Sequence, residues 1–150
     1  MPEMIRSWFA LLVLAAAIPS AAAATKTSPA APQDNALATV MAGEFALQAG
    51  QLPEAARWYL DAARRDDDAG LAERATRIAL LAKDDARAAD ALKLWRARSP
   101  RTLALRGAEA TLAMRQGQSR VARRELAALM KETDDLGWRY ALTALGSGSK

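Results

Sequence analysis

Side chains suited to acid–base, nucleophilic or metal chemistry are scarce in this 150-residue chain. It has no histidine and no cysteine, which removes the most common general base, the thiol nucleophile and the usual zinc and iron–sulfur ligands. The glutamates are scattered along the chain, at Glu44, Glu54, Glu73, Glu109, Glu125 and Glu132.

A carboxylate enzyme needs its acidic groups close together. A glycosidase brings two carboxylates together in a cleft, and scattered single glutamates do not predict such a pair. Gly-x-Gly occurs only at Gly146 and Gly148, outside the strand-to-helix setting of a phosphate-binding loop. We therefore expect a non-enzymatic protein that uses no cofactor and no metal.

Basic residues suggest a second kind of chemistry. The formal net charge is +4, and Arg120, Arg123 and Arg124 lie at helical spacing on one predicted face. That face suits an acidic partner, a cell-wall polymer or lipid headgroups. Elsewhere acidic and basic residues are interspersed, as on solvated helix faces. Because the chain also has the export signal described next, we expect no nucleic-acid binding.

The first 24 residues have the pattern of an export signal. Arg6 precedes an apolar run over residues 8–18, Pro19 breaks it, and alanines at 22–24 suit a signal peptidase. The pattern predicts cleavage near Ala24 and a periplasmic protein, with an uncleaved inner-membrane anchor as the alternative. Residues 25–35, rich in proline, serine and threonine, predict a disordered linker.

The remainder predicts helices only. Apolar spacing, acidic or hydroxyl caps and glycine or proline breaks place helices near 36–49, 53–65, 71–82, 86–98, 102–116, 120–132 and 136–145, followed by a flexible tail over 146–150. No alternating β-branched run indicates a strand. The fold class expected is all-α.

A helix–turn–helix unit recurs with a period of 33–34 residues. In the first copy Gly43 and Ala46 share one helix, and Ala55, Tyr59 and Ala62 share the next. Three series of residues occupy equivalent register positions, namely Phe45, Ile78 and Leu112; Ala55, Ala88 and Ala122; and Tyr59, Leu92 and Leu126. Such a period is typical of stacked helical hairpins.

At these residues the chain resembles the tetratricopeptide repeat (TPR) family. Gly43 matches the small residue of the first helix, the alanine series matches the second helix, and Pro100 matches the closing proline. Asp67 and Asp134 replace that proline in the other copies, and the family's early tryptophan is absent. The resemblance implies a solenoid with repeats at about 36–68, 69–102 and 103–136 and a partial repeat at 137–145.

The resemblance also implies a concave groove, lined by the first helix of each repeat, that binds a partner segment. Carried over position by position, the groove residues include Val40, Glu73, Leu81 and Thr111, and those expected to bind the partner are Glu44, Leu47, Gln48, Arg77, Leu80, Met114 and Arg115. The function implied is that of a protein-interaction scaffold or adaptor in the bacterial periplasm. Residues 73–100 are similar to long envelope TPR proteins, some of which are adaptors for a periplasmic protease.

Two aromatic features complete the expectations. Trp138 and Tyr140 give the last helix an apolar surface with no following partner helix. This indicates either a shortened relative of the longer repeat proteins or docking of that end on another molecule, which includes self-association. Trp58, Trp95 and Trp138 lie at or beside helix-packing positions, so we expect them to pack in the core or between repeats. Trp95 stands where the family has a small residue, so it should separate its helix pair locally or else point outward. The alternative function is binding to a membrane or an anionic surface through the arginine face.

Overall fold

The computed structural model describes residues 32–133 and 135–148, with side chains from Ala36 onward. Over these residues the fold is all-α, as predicted, and it contains seven helices and no strand. The helices are α1 (Pro32–Gln48), α2 (Leu52–Arg65), α3 (Ala69–Leu81), α4 (Asp85–Arg98), α5 (Leu103–Arg115), α6 (Ser119–Met130) and α7 (Asp135–Gly148). The expected signal segment and most of the expected linker lie outside the described residues.

Both ends of the helical region extend further than predicted. α1 begins at Pro32, so the last four residues of the expected linker are helical; the fixed φ of proline suits the first turn of a helix. α7 continues to Gly148, so the expected tail from 146 is helical up to that residue, because Gly148 is buried beside Met114. The other predicted boundaries agree to within two residues.

Helices pair in sequence order. α1 packs on α2, α3 on α4, and α5 on α6, and we call these the first, second and third pairs. The turn inside each pair contains one residue in the left-handed region, at Gly50, Lys83 and Gly117. These three positions are one repeat period apart, so the same turn closes each pair. Lys83 adopts this conformation at a cost of about 1–2 kcal/mol relative to glycine.

Small side chains let the helices approach closely. In the first pair a Cβ added to Gly43 would lie 2.8 Å from the Tyr59 ring, so glycine is required there. A contiguous core runs from α1 to α5, and its fully covered members include Ala55, Ala63 and Ala75. An alanine-rich core of this kind is compatible with helices that meet only their neighbours.

α7 departs from the pattern of the earlier helices. α3 packs strongly on α2, the second helix of the preceding pair, whereas α7 packs mainly on α5 and only lightly on α6. A Cβ on Gly107 of α5 would lie 3.3 Å from the Tyr140 ring. The buried small residues of α7, at Gly137, Ala141, Ala144 and Gly148, lie at helical spacing.

Among the helices of the described residues, none is long and apolar enough to cross a membrane.

Candidate functional site

A cleft of about 340 Å³ opens between α3, α5 and α7. We call it the α3–α5–α7 cleft. α3 contributes Arg77, Leu80 and Leu81, and α4 contributes Trp95. The rest of the lining is Ala104, Gly107, Ala108 and Thr111 from α5, and Tyr140, Thr143, Ala144 and Ser147 from α7. Its volume lies at the small end of the range for ligand sites and suits one large side chain of a partner.

The cleft is mostly apolar, with one charge. Trp95 is only 1% exposed, so its indole is held in the core where the cleft meets α4. Trp95 therefore packs in the core, as expected of the tryptophans, and does not take the outward orientation that was the alternative; Ala88 and Ala91 are small neighbours in the same cluster. Arg77 is the single charged residue in the lining. An apolar pocket with a cation in its lining favours an apolar side chain next to an acidic group.

Arg77 is able to change partners. Its Nη2 lies 2.7 Å from Oε1 of Glu73 one turn earlier, and the arginine side chain is largely exposed. An exposed ion pair of this spacing contributes little to stability, about 0.3–0.5 kcal/mol. A carboxylate that entered the cleft could therefore replace Glu73 at small cost.

The predicted binding residues do not all meet at one place. Arg77 and Leu80 line the cleft together with Thr111, another residue of the expected groove. Leu47 is partly buried against the core, and Gln48 is exposed on α1. Of the residues named from sequence, Arg77, Leu80 and Leu81 thus lie in the α3 wall of the cleft, and only Tyr140 lies in its α7 wall.

Glu44 is occupied within the fold. It accepts a hydrogen bond from the Tyr59 hydroxyl and another from Nη2 of Arg74 at 2.5 Å. The Arg74 guanidinium also lies over the Tyr59 ring, 4.9 Å from its centroid. Burial, and then the hydrogen bond to Glu44, raise the pKa of Tyr59 to about 12. These contacts tie α3 to the first pair, so Glu44 acts here as a packing residue.

Arg115 and Met114 are also held by neighbours. Arg115 Nη1 donates to the carbonyl oxygen of Leu80 at 2.8 Å, and its Nη2 lies 2.6 Å from Oδ1 of Asp85. The latter contact pairs charges without hydrogen-bond alignment. Met114 is half-buried beside Gly148, where a Cβ would lie 2.5 Å from its Cε. In the third pair, α7 thus covers part of the expected groove.

Several residues of the site were missed from sequence. Thr143 and Ser147 of the α7 wall were not named, and Tyr140 was expected to form a free apolar end, whereas it packs beside Gly107. A usable signal was the small-residue spacing of α7, which marks a closely packed face. Arg98 was also missed. Its guanidinium donates to the carbonyl oxygen of Ala63 at 2.7 Å and to Oδ1 of Asp67 at 2.8 Å, which joins the ends of α4 and α2.

Two further clefts are more polar. One lies between α2 and α4 and is lined by charged groups of both signs, including Arg64 and Asp90, which pair at 3.0 Å. The other lies between α4 and α5, where Arg96 donates to Glu109 at 2.6 Å. In the part of the chain that the structure describes, no cluster of acidic side chains could hold a metal ion.

The arginine face of α6 is partly engaged. Arg124 donates to Oε1 of Glu125 at 2.8 Å, and Arg123 donates to the carbonyl oxygen of Ser119 at 3.3 Å. Glu125 is buried and also lies 3.7 Å from Nη1 of Arg106. Arg120 is exposed. The three arginines thus share one helix, as the spacing predicts, and two of them are bonded within α6.

Comparison with known proteins gives no relative: no family model, no curated protein and no solved structure matches this chain.

Proposed function

We propose that the chain is a TPR-like solenoid that binds a segment of a partner protein and performs no reaction of its own. The observation that carries the proposal is the α3–α5–α7 cleft, which combines an apolar lining with a single, replaceable charge at Arg77. The segment would place one large apolar side chain in the cleft and an acidic residue near Arg77. The repeated pairs and their common turn support the solenoid.

The place of action proposed is the bacterial periplasm. The support is the arrangement of Arg6, the apolar run over residues 8–18 and the alanines before Thr25. N-terminal sequencing of protein from the envelope fraction tests this directly. A mature end near Thr25 supports export, an intact Met1 in the membrane favours the anchor, and an intact Met1 in the cytoplasm refutes both.

Partner binding is tested by closing the cleft. Ala104 lines it, and Ala104→Leu would occupy part of its volume while leaving the outer surface unchanged. Crosslinked complexes recovered from the envelope should lose one discrete partner with Ala104→Leu and with Arg77→Glu. Arg101→Glu, a charge reversal at an exposed residue outside the cleft, should retain it. Equal recovery from all three variants would refute the cleft as the binding site.

A further inference from the structure

An exposed apolar stripe runs along α1. Leu37, Met41 and Phe45 are one helical turn apart, and each is at least half exposed. α1 itself contains two acidic residues, Asp34 and Glu44, and no basic one. Single exposed apolar residues are common on protein surfaces, whereas a continuous helical stripe marks a contact face.

The later pairs indicate what this stripe contacts. Phe45 is 62% exposed, but Ile78 and Leu112, its equivalents one and two periods later, are 5% and 6% exposed. α3 packs on α2, and Leu112 lies opposite α4 across their shared cleft. Arg74, the equivalent of Met41, contacts Glu44 and Tyr59 of the first pair. In both later pairs this stripe therefore faces the preceding pair.

α6 presents a face equivalent to the faces of α2 and α4 that lie next to this stripe in the later pairs. In α2 the corresponding positions are Ala56, Leu60 and Ala63, all buried. In α4 they are Ala89, Lys93 and Arg96, which line the cleft shared with α5. In α6 they are Arg123, Ala127 and Met130, all exposed, and Met130 is 64% exposed. The light contact of α7 with α6 leaves this face open.

The geometry points to a second copy of this chain as the occupant: the α6 face of one copy docks on the α1 stripe of the next. The contact reproduces between molecules the α2–α3 junction that exists within one. The contact would cover exposed apolar residues on both faces, since Met130 of α6 is 64% exposed and Phe45 of α1 is 62% exposed. The two faces differ, so the contact is head-to-tail and leaves one open face at each end of a growing assembly.

The neighbouring face of α7 provides a control surface. Trp138 is exposed there, on a helix that belongs to neither of the two proposed docking faces. Trp138→Glu therefore tests whether any exposed apolar residue near this end of the fold drives association. The self-association expected from sequence through Trp138 and Tyr140 is thereby separated from association through α6.

The test is sedimentation of the full chain and its variants over a range of concentrations. The wild-type chain and Trp138→Glu should form assemblies that grow past the dimer as concentration rises. Phe45→Glu and Met130→Glu should each be monomeric, and both replace exposed side chains, so helicity by circular dichroism should be unchanged. An equimolar mixture of the two should give a dimer and no larger species, because one intact α6 face meets one intact α1 stripe.

Three results would overturn the inference. A wild-type chain that is monomeric at every concentration would mean that no second copy covers these faces. Association that survives Met130→Glu but not Phe45→Glu would mean that two α1 stripes meet each other. Association lost only in Trp138→Glu would place the contact on α7.

Discussion

The junction between the first and second pairs differs from the junction between the second and third. At the first, fully buried alanines such as Ala63 and Ala75 bring α2 and α3 into close contact. At the second, α4 and α5 touch less, clefts open on both sides, and the contact includes the charged pair of Arg96 and Glu109. The first junction also borders a cleft, between α2 and α4, but that cleft is lined by charged groups of both signs. The mostly apolar cleft of the second junction is therefore the one we propose as the ligand site.

Long-range arginine contacts are common to both junctions. Arg98 and Arg115 each donate to a carbonyl oxygen near the end of a helix in the preceding pair, and each spans 35 residues. Arg98 joins the second helices of two pairs, and Arg115 joins the first helices. Binding at the open junction therefore does not require the third pair to be loosely attached.

The largest contrast should come from adding the same volume at both junctions. Ala75→Leu overpacks a site with no free space and should lower the free energy of unfolding by about 3 kcal/mol. Ala104→Leu enters the cleft and should change it by less than about 1 kcal/mol. Urea unfolding measures both. Equal losses would mean that the two junctions do not differ in packing.

The Tyr59 hydroxyl should make the first pair sensitive to alkali. Its pKa is raised from about 10 to about 12, so the folded state holds this proton more tightly than the unfolded state does. The associated stability is fully present below pH 10 and is lost as the pH rises towards 12, by about 2 kcal/mol. Urea unfolding at several alkaline pH values should show this slope.

Substitution of each tyrosine shows which residue causes the loss of unfolding free energy at alkaline pH. Tyr59→Phe should remove it, and Tyr140→Phe, beside the cleft, should leave it in place. Tyrosinate absorbance should show a late ionisation step, and that step should be missing in Tyr59→Phe. A slope that persists in Tyr59→Phe would contradict the assignment.

Removing an arginine contact should have an intermediate effect. Arg98→Ala leaves the carbonyl of Ala63 without this donor and removes a largely buried side chain, so a loss of about 1–2 kcal/mol is expected. Arg65→Ala removes only a surface pair with Asp61 and should cost less than about 0.5 kcal/mol. Thermal or urea unfolding distinguishes them, and similar losses would mean that Arg98 does not stabilise the junction.

The smallest effect is expected at a helix cap. The backbone N–H of Arg87 hydrogen-bonds to Asp84, and this bond lowers the pKa of that carboxyl. Its contribution is present above the unfolded pKa and is lost as the pH falls through the folded one. Asp84→Ala should cost about 1 kcal/mol at neutral pH and remove this acid sensitivity. Thr102→Ala, the cap of α5, should cost a similar amount and leave the acid sensitivity intact.

Local rules were sufficient to predict the helices. Periodicity, caps and breaking residues predict seven helices with boundaries near those observed, because each signal acts within a few residues. Gly50 and Gly117 likewise mark left-handed turns. Lys83 adopts the same conformation although its residue type disfavours it, and the only signal for it is its position one repeat period from Gly50 and from Gly117.

The site was only partly predictable because it depends on packing across pairs. The resemblance predicted that Arg77 and Leu80 line the groove. Whether the Arg115 side chain is available to a partner depends on its hydrogen bond to the carbonyl oxygen of Leu80, which lies 35 residues away. The position of α7 was unpredictable for the same reason. A regular repeat would pack α7 on α6, whereas the small residues of α7 allow it to pack closely on α5.

Site-specific photo-crosslinking in intact cells shows whether the open junction holds a partner segment. Leu81 is 68% exposed and lines the cleft, so a crosslinking amino acid in its place should label one discrete partner. The same group at Ala97, exposed on α4 outside the cleft, should not. Labelling at position 81 that disappears with Ala104→Leu is expected, and labelling that is absent or unchanged by Ala104→Leu would mean that no partner segment binds in the cleft.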